Sequence, residues 1–148
     1  MKKISGIIFN TVNDYRSVIP RLIVGLVFLS EGIQKFLFPD LVGAGRFEQI
    51  GFTNPEFLAY FVASFEISCG TLMIIGFLTR IAAIPLFIIM MTAIITTKIP
   101  ILINKGFWTM AHESRTDFAM ILLILFIFIY GAGRLSLDYL IQRRMNTK

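Results

Sequence analysis

Four stretches rich in Leu, Ile, Phe and Val divide the chain, each bounded by charged residues or by Pro and Gly: residues 19–38, 56–77, 81–98 and 117–133. A helix needs about 20 residues to cross the hydrocarbon core of a bilayer. The first two stretches meet that length. The third and fourth lie at its short end, so their flanks must reach or the bilayer must thin. Pro39-Asp40 stops the first stretch, and Leu78-Thr79-Arg80 leaves room only for a tight turn, which makes the second and third antiparallel neighbours. The expected fold is all-α: an integral membrane four-helix bundle over residues 19–140, followed by a basic cytoplasmic tail at 141–148.

The segment before the first stretch has a different pattern. Ile4, Ile7, Ile8, Val12 and Tyr15 recur at helical spacing opposite Asn10, Asn13 and Asp14, with Lys2, Lys3 and Arg16 at the rim. This predicts an amphipathic helix over residues 1–18 lying in the membrane interface. A cleavable leader would place a short apolar run directly after the basic residues and end at small ones; neither is present, so the expectation is that this segment is retained. The connections at 40–55 and 99–115 mix aromatic, aliphatic and charged residues and read as interfacial.

Composition sharpens this picture. The chain is 56% hydrophobic and 16% charged, whereas soluble domains run nearer 45–50% apolar and about 25% charged. The formal charge of +5 raises the question of nucleic acid, but a nucleic-acid face gathers Lys and Arg along one helix or groove. Here they stand singly at the ends of apolar runs, the pattern of membrane-flanking charge. The expected partner is the lipid bilayer, with no nucleic acid. One cysteine (Cys69) and one histidine (His112) preclude an internal disulfide, and cannot supply the about four ligands of an iron–sulfur or structural zinc site, so no metal site is expected.

Lys and Arg also bear on orientation. With four spans, eight (Lys2, Lys3, Arg16, Arg80, Arg134, Arg143, Arg144 and Lys148) share one side and five (Lys35, Arg46, Lys98, Lys105 and Arg115) the other, with Arg21 inside the first span. That bias favours both termini in the cytoplasm, and the expected location is a bacterial cytoplasmic (inner) membrane.

The ionisable residues inside the spans carry the candidate chemistry. Glu66 falls near the middle of the second stretch, where a carboxylate costs at least about 2.5–3.5 kcal/mol to insert. It must face the bundle, protonated or paired. Ala59, Ala63, Glu66, Gly70 and Met73 share its stripe, and small residues let another helix approach closely. Arg21, Gly25, Phe28, Gly32 and Lys35 share one face of the first stretch at 100° per residue, and Glu31 stands four residues before Lys35, at ion-pair spacing. By depth, Glu31, Gln34, Lys35, Thr96, His112, Glu113, Arg115 and Asp117 gather toward the outer end with Glu66 below them, and Thr92 and Thr97 point the same way; Arg21, Arg80, Arg134 and Asp138 gather toward the inner end. The outer group could line a polar pocket. The simpler readings are an interfacial Glu31–Lys35 pair, Glu66 as an inter-helix hydrogen-bonding group, His112 as a solvated loop residue, and Cys69 as packing with a raised pKa.

Arg21 with Gly25, Gly32 and Lys35, then Glu66, Gly70, Gly76, Leu78, Thr79, Arg80, Ala82 and Ala83, an acid opening the last helix, and the run Gly131-Ala132-Gly133-Arg134-Leu135-Ser136-Leu137-Asp138 together resemble the DoxX family of small four-helix membrane proteins. The resemblance covers residues 18–140. Asp117 stands where the family commonly has Glu, and Ala132 where Pro is usual between the two glycines. The resemblance implies a subunit of a quinone-linked membrane oxidoreductase, of a thiosulfate:quinone or catechol-stress type, with a quinone as non-covalent cofactor and a soluble or membrane redox partner that supplies the electrons. In that reading Glu66, Asp117 and His112 relay protons, while Lys35 and Arg115, with Arg21, Glu31 and Arg80, bind. The alternatives are a non-catalytic binding or transport bundle, which as a carrier needs a homo-oligomer for a wide enough pathway; a scaffold subunit of a membrane complex; or a purely structural use of polar residues as inter-helix glue.

Overall fold

The computed structural model describes residues 11–146. They form an all-helical structure: α1 (Val18–Leu37), α2 (Ala44–Ile50), α3 (Pro55–Ile75), α4 (Thr79–Ala93), α5 (Ile99–Lys105), α6 (Phe107–Glu113), α7 (Arg115–Tyr130) and α8 (Leu137–Asn146). Among the described residues there is no strand. A π-helical turn, Ile94–Lys98, joins α4 to α5 without a break. Two helices are long and apolar enough to cross a membrane: α3, and the continuous rod Thr79–Lys105. Most of the interfacial helix expected over 1–18 lies outside the described residues, and residues 11–17 form bends and turns leading into α1.

The long helices assemble as their patterns require. On α1 the buried residues are Arg21, Val24, Gly25, Phe28, Gly32 and Lys35, the stripe that a 100° step selects. On α3 they are Ala59, Ala63, Glu66, Cys69, Gly70 and Met73. These two stripes face each other. A Cβ on Gly70 would lie 2.8 Å from the Leu29 nitrogen and 2.9 Å from the Gly25 carbonyl oxygen. The helices therefore touch backbone to backbone, which only a missing side chain permits. Leu86 and Met90 of α4 and Met120, Ile124 and Ile127 of α7 complete one apolar core with Val24, Phe28 and Met73.

Turns fix the order. Gly76 (φ 75°) ends α3 in the left-handed conformation, and Leu78 (φ 50°) starts α4 from the same region. Left-handed backbone costs a non-glycine residue about 1–2 kcal/mol, and here a cap repays it. The Asp138 carboxylate, on the first turn of α8, accepts from Leu78 N (2.8 Å), Thr79 N (3.0 Å) and Thr79 Oγ1 (2.8 Å). The Asp138 amide donates back to the Gly76 carbonyl at 3.0 Å. A side chain remote in sequence thus serves as the N-cap of α4.

The third apolar stretch is longer than its composition predicts. Residues 99–115, expected as an interfacial connection, are mostly helical. Pro100 follows the π-turn in the first turn of α5, and Gly106 (φ 83°) reverses the chain into α6.

Candidate functional site

Lys35, in the last turn of α1, reaches across the contact with α3 to Glu66. Its Nζ lies 3.0 Å from Oε1 and 2.7 Å from Oε2 of that carboxylate. Both groups are buried, at 8% and 3% exposure. Glu31 Oε2 stands 3.9 Å from the same ammonium, with half of its side chain exposed. The centre therefore holds two carboxylates and one ammonium, closed on the α3 side and open at Glu31. Gly32 makes the arrangement fit, since a Cβ there would come within 2.9 Å of the Ala63 carbonyl oxygen and 3.0 Å of Glu66 Cβ. The stripe on α1 thus meets the acid on α3, and the tight partner of Lys35 is Glu66 rather than Glu31.

The other candidates lie elsewhere. Asp117, in the first turn of α7, pairs with Lys98 (3.2 Å), whose Nζ also donates to the Glu113 carbonyl at 3.0 Å. This clamp ties the π-turn to α7, and among the described residues no hydrogen bond or ion pair connects it to Glu66. His112 and Arg115 are exposed, 3.3 Å apart at their nearest nitrogens, one helical turn from each other. Thr92 and Thr97 donate to their own helix at the carbonyls four residues back, and Thr96 does the same to Thr92. Hydroxyls used in this way spend their proton on their own helix and offer only acceptor lone pairs to any neighbour.

Arg21 and Arg80 belong to the opposite end. Arg21 is 3% exposed, and its Nη2 donates to the Leu135 carbonyl at 3.0 Å. Its Nε and Nη1, with Ser17 Oγ, are buried without a hydrogen-bond partner among the described residues. Arg80 Nη2 donates to the Ile129 carbonyl at 2.7 Å. Asp138 acts electrostatically on both guanidiniums. Lys98 and Thr79 were not singled out from sequence as partners, because nothing local links Lys98 to Asp117 or Thr79 to Asp138.

Two cavities accompany these groups. An apolar groove of about 550 Å³ runs between α3 and α4, lined by Phe61, Phe65, Cys69, Ile81, Pro85 and Ile88 among others. Cys69 is one helical turn from Glu66. The second is a cleft of about 500 Å³ at the end of the molecule where α1 begins and α3 stops. Among the described residues, no group of three or more His, Cys, Asp or Glu side chains is placed to hold a metal.

The DoxX family model matches residues 17–99, from the start of α1 through the π-turn. The chain belongs to the DoxX family. The matched region carries Arg21, Glu31, Lys35, Glu66 and Arg80, whereas Asp117, His112 and Arg115 fall beyond it. An uncharacterized membrane protein of Mycobacterium tuberculosis, Rv3486, is 51% identical over 130 residues, covering 84% of this chain and 80% of the relative. A Bacillus subtilis protein named "Putative oxidoreductase CatD" is 31% identical over 121 residues, covering 80% of this chain and 81% of the relative. No solved structure matches. With two helices of membrane-spanning length and apolarity, this DoxX protein is a membrane protein.

Proposed function

We propose that this DoxX protein is the membrane subunit of a quinone-linked oxidoreductase. In this reading α1, α3, the α4–α5 rod and α7 cross a bacterial cytoplasmic membrane as a four-helix bundle with both termini inside. The buried Lys35–Glu66 pair with Glu31 at its open edge carries the proposal. An ion pair withdrawn from water is hard to justify as stabilisation alone, because replacing it with apolar side chains is often neutral or favourable; inside a membrane, such groups mark functional sites. Reducing a quinone to a quinol takes two electrons and two protons. Lys35 is the donor for a quinone carbonyl approaching past Glu31, and the two carboxylates around one ammonium are the groups that exchange protons. The electrons come from a partner protein. The relative named as an oxidoreductase adds weight to this reading.

The test is binding of menaquinone or ubiquinone by protein in nanodiscs. Wild type should retain quinone, and Glu66→Gln should weaken it about tenfold, the size of one lost charge-assisted hydrogen bond. Absence of quinone binding by folded wild type would overturn the proposal.

A second reading, a non-catalytic binding or scaffold bundle, draws on a different observation. Outside the Lys35 centre, Asp117, Arg80 and the three threonines are all engaged by other parts of the chain. Folded protein that binds no quinone, but copurifies with a stoichiometric partner, would favour it.

A further inference from the structure

The cleft at the end of the molecule bearing the described termini has a different chemistry from the Lys35 centre. Arg134 and Arg143 face it together with Tyr15 and Tyr139, and among the described residues none of its lining side chains is acidic. Arg134 is held in place. Its Nε donates to Asn13 Oδ1 at 2.6 Å, its guanidinium stacks 5.4 Å over the Tyr15 ring, and its amide donates to the Asp14 carbonyl at 2.8 Å. The nearby Asp14 carboxylate is occupied by the Arg16 amide and guanidinium. Arg143 lies exposed on α8.

The rest of the cleft is apolar. Ile75 at the end of α3 and Leu137 and Leu140 of α8 line it while remaining 47%, 42% and 53% exposed. Leu135 adopts a left-handed backbone (φ 57°), with its carbonyl fixed by Arg21, and stands 70% exposed at the rim. A non-glycine residue persists in that region only where its surroundings hold it there, and such residues cluster at functional sites.

The geometry points to a binding site for an anionic phospholipid, its phosphodiester between Arg134 and Arg143 and an acyl chain running along Ile75 and Leu140 onto α3. A free phosphate would satisfy the guanidiniums but leave the apolar wall and most of the cleft uncovered. Basic pockets at the ends of membrane helices suit anionic headgroups, and α8 carries apolar and basic side chains on the short segment that reaches this level. The inference rests on the membrane setting and is independent of quinone chemistry.

Native mass spectrometry on protein released from nanodiscs of mixed phosphatidylcholine and phosphatidylglycerol tests it. Wild type should carry phosphatidylglycerol in preference to phosphatidylcholine by about tenfold, as expected for two arginines at a charged surface. Arg143→Gln, at an exposed position of α8, should reduce the preference several-fold, and Arg134→Gln/Arg143→Gln should bring it to parity. Arg134→Lys/Arg143→Lys should retain most of it, and Arg46→Gln on α2 should leave it unchanged. Parity in wild type, or a preference untouched by Arg143→Gln, would overturn the assignment. So would displacement of the lipid by millimolar inorganic phosphate, which would mark the cleft as a site for free anions.

Discussion

Lys35 and Glu66 are each other's insurance against burial. Removing the ammonium leaves a carboxylate in an apolar interface with only Glu31 near it, so Lys35→Met should destabilise by about 3–5 kcal/mol. Glu66→Gln keeps a hydrogen-bonding group facing Lys35 and should cost less. Lys35→Met/Glu66→Leu should recover most of the loss, because two matched apolar side chains leave nothing unpaired. Reversible unfolding of wild type, Lys35→Met, Glu66→Leu and the double variant closes a double-mutant cycle; a double variant no more stable than Lys35→Met would contradict this account. The pair was only half legible in the sequence. Periodicity placed Lys35 and Glu66 on buried faces, and the insertion cost of Glu66 required a partner, but Glu31 four residues away competed as the local choice for Lys35. What decides between them is the absent Cβ at Gly32, which lets Glu66 approach, and a contact between helices is not written in either stripe alone.

At the scale of elements, the α1–α3 crossing rests on Gly25 and Gly70. Gly70→Ala places a methyl 2.8 Å from the Leu29 nitrogen, so the helices must part along their length. A loss of about 1–3 kcal/mol is expected, read as a lower melting temperature in detergent, with Gly51→Ala, at an open turn, as a control for general glycine effects. That control is itself strained by its φ of 96°, so its cost should be smaller but not zero. Asp138→Asn should weaken the cap on α4 by about 1–2 kcal/mol and speed proteolysis of the 131–136 loop. The stripes of α1 and α3 were legible because charged and small residues break the apolar background at a regular angle. The α5–α6 hairpin was not: residues 99–115 mix apolar, aromatic and charged positions, and the return of the chain at Gly106 shows only in the reach of Lys98 to Glu113. The polar group gathered by depth was not legible in its partners, since Thr92, Thr96 and Thr97 each donate to their own helix and Asp117 pairs with Lys98.

For the whole molecule, the bundle reading sets where each end must lie. In a Cys69→Ser background, Met145→Cys on α8 should be labelled by a membrane-impermeant maleimide from one side of sealed vesicles only, and Ile103→Cys on α5 only from the other. Labelling of both from the same side would refute a bundle of four crossings. Composition made the membrane evident, because there is too little charge here to cover a soluble surface. The function was less accessible, since a quinone, a carrier substrate and a scaffold partner would all be served by the same few buried charges.

The π-turn at Ile94–Lys98 fits one residue more into its turn than an α-helix does. Everything beyond it is therefore rotated by about 100° relative to an uninterrupted helix, and Lys98 meets Asp117 in that rotated frame. Deleting Ile95 should restore ordinary winding, swing the α5–α6 hairpin around the rod axis and unfasten it from α7, while the Lys35 centre on the other helices stays intact. A Lys98→Ala, Asp117→Ala double-mutant cycle on stability should then show coupling in the full-length background and none in the shortened one. Length in this segment works as a dial for azimuth, so related chains that gain or lose one residue here should present a different face of the same hairpin to whatever approaches that end of the molecule.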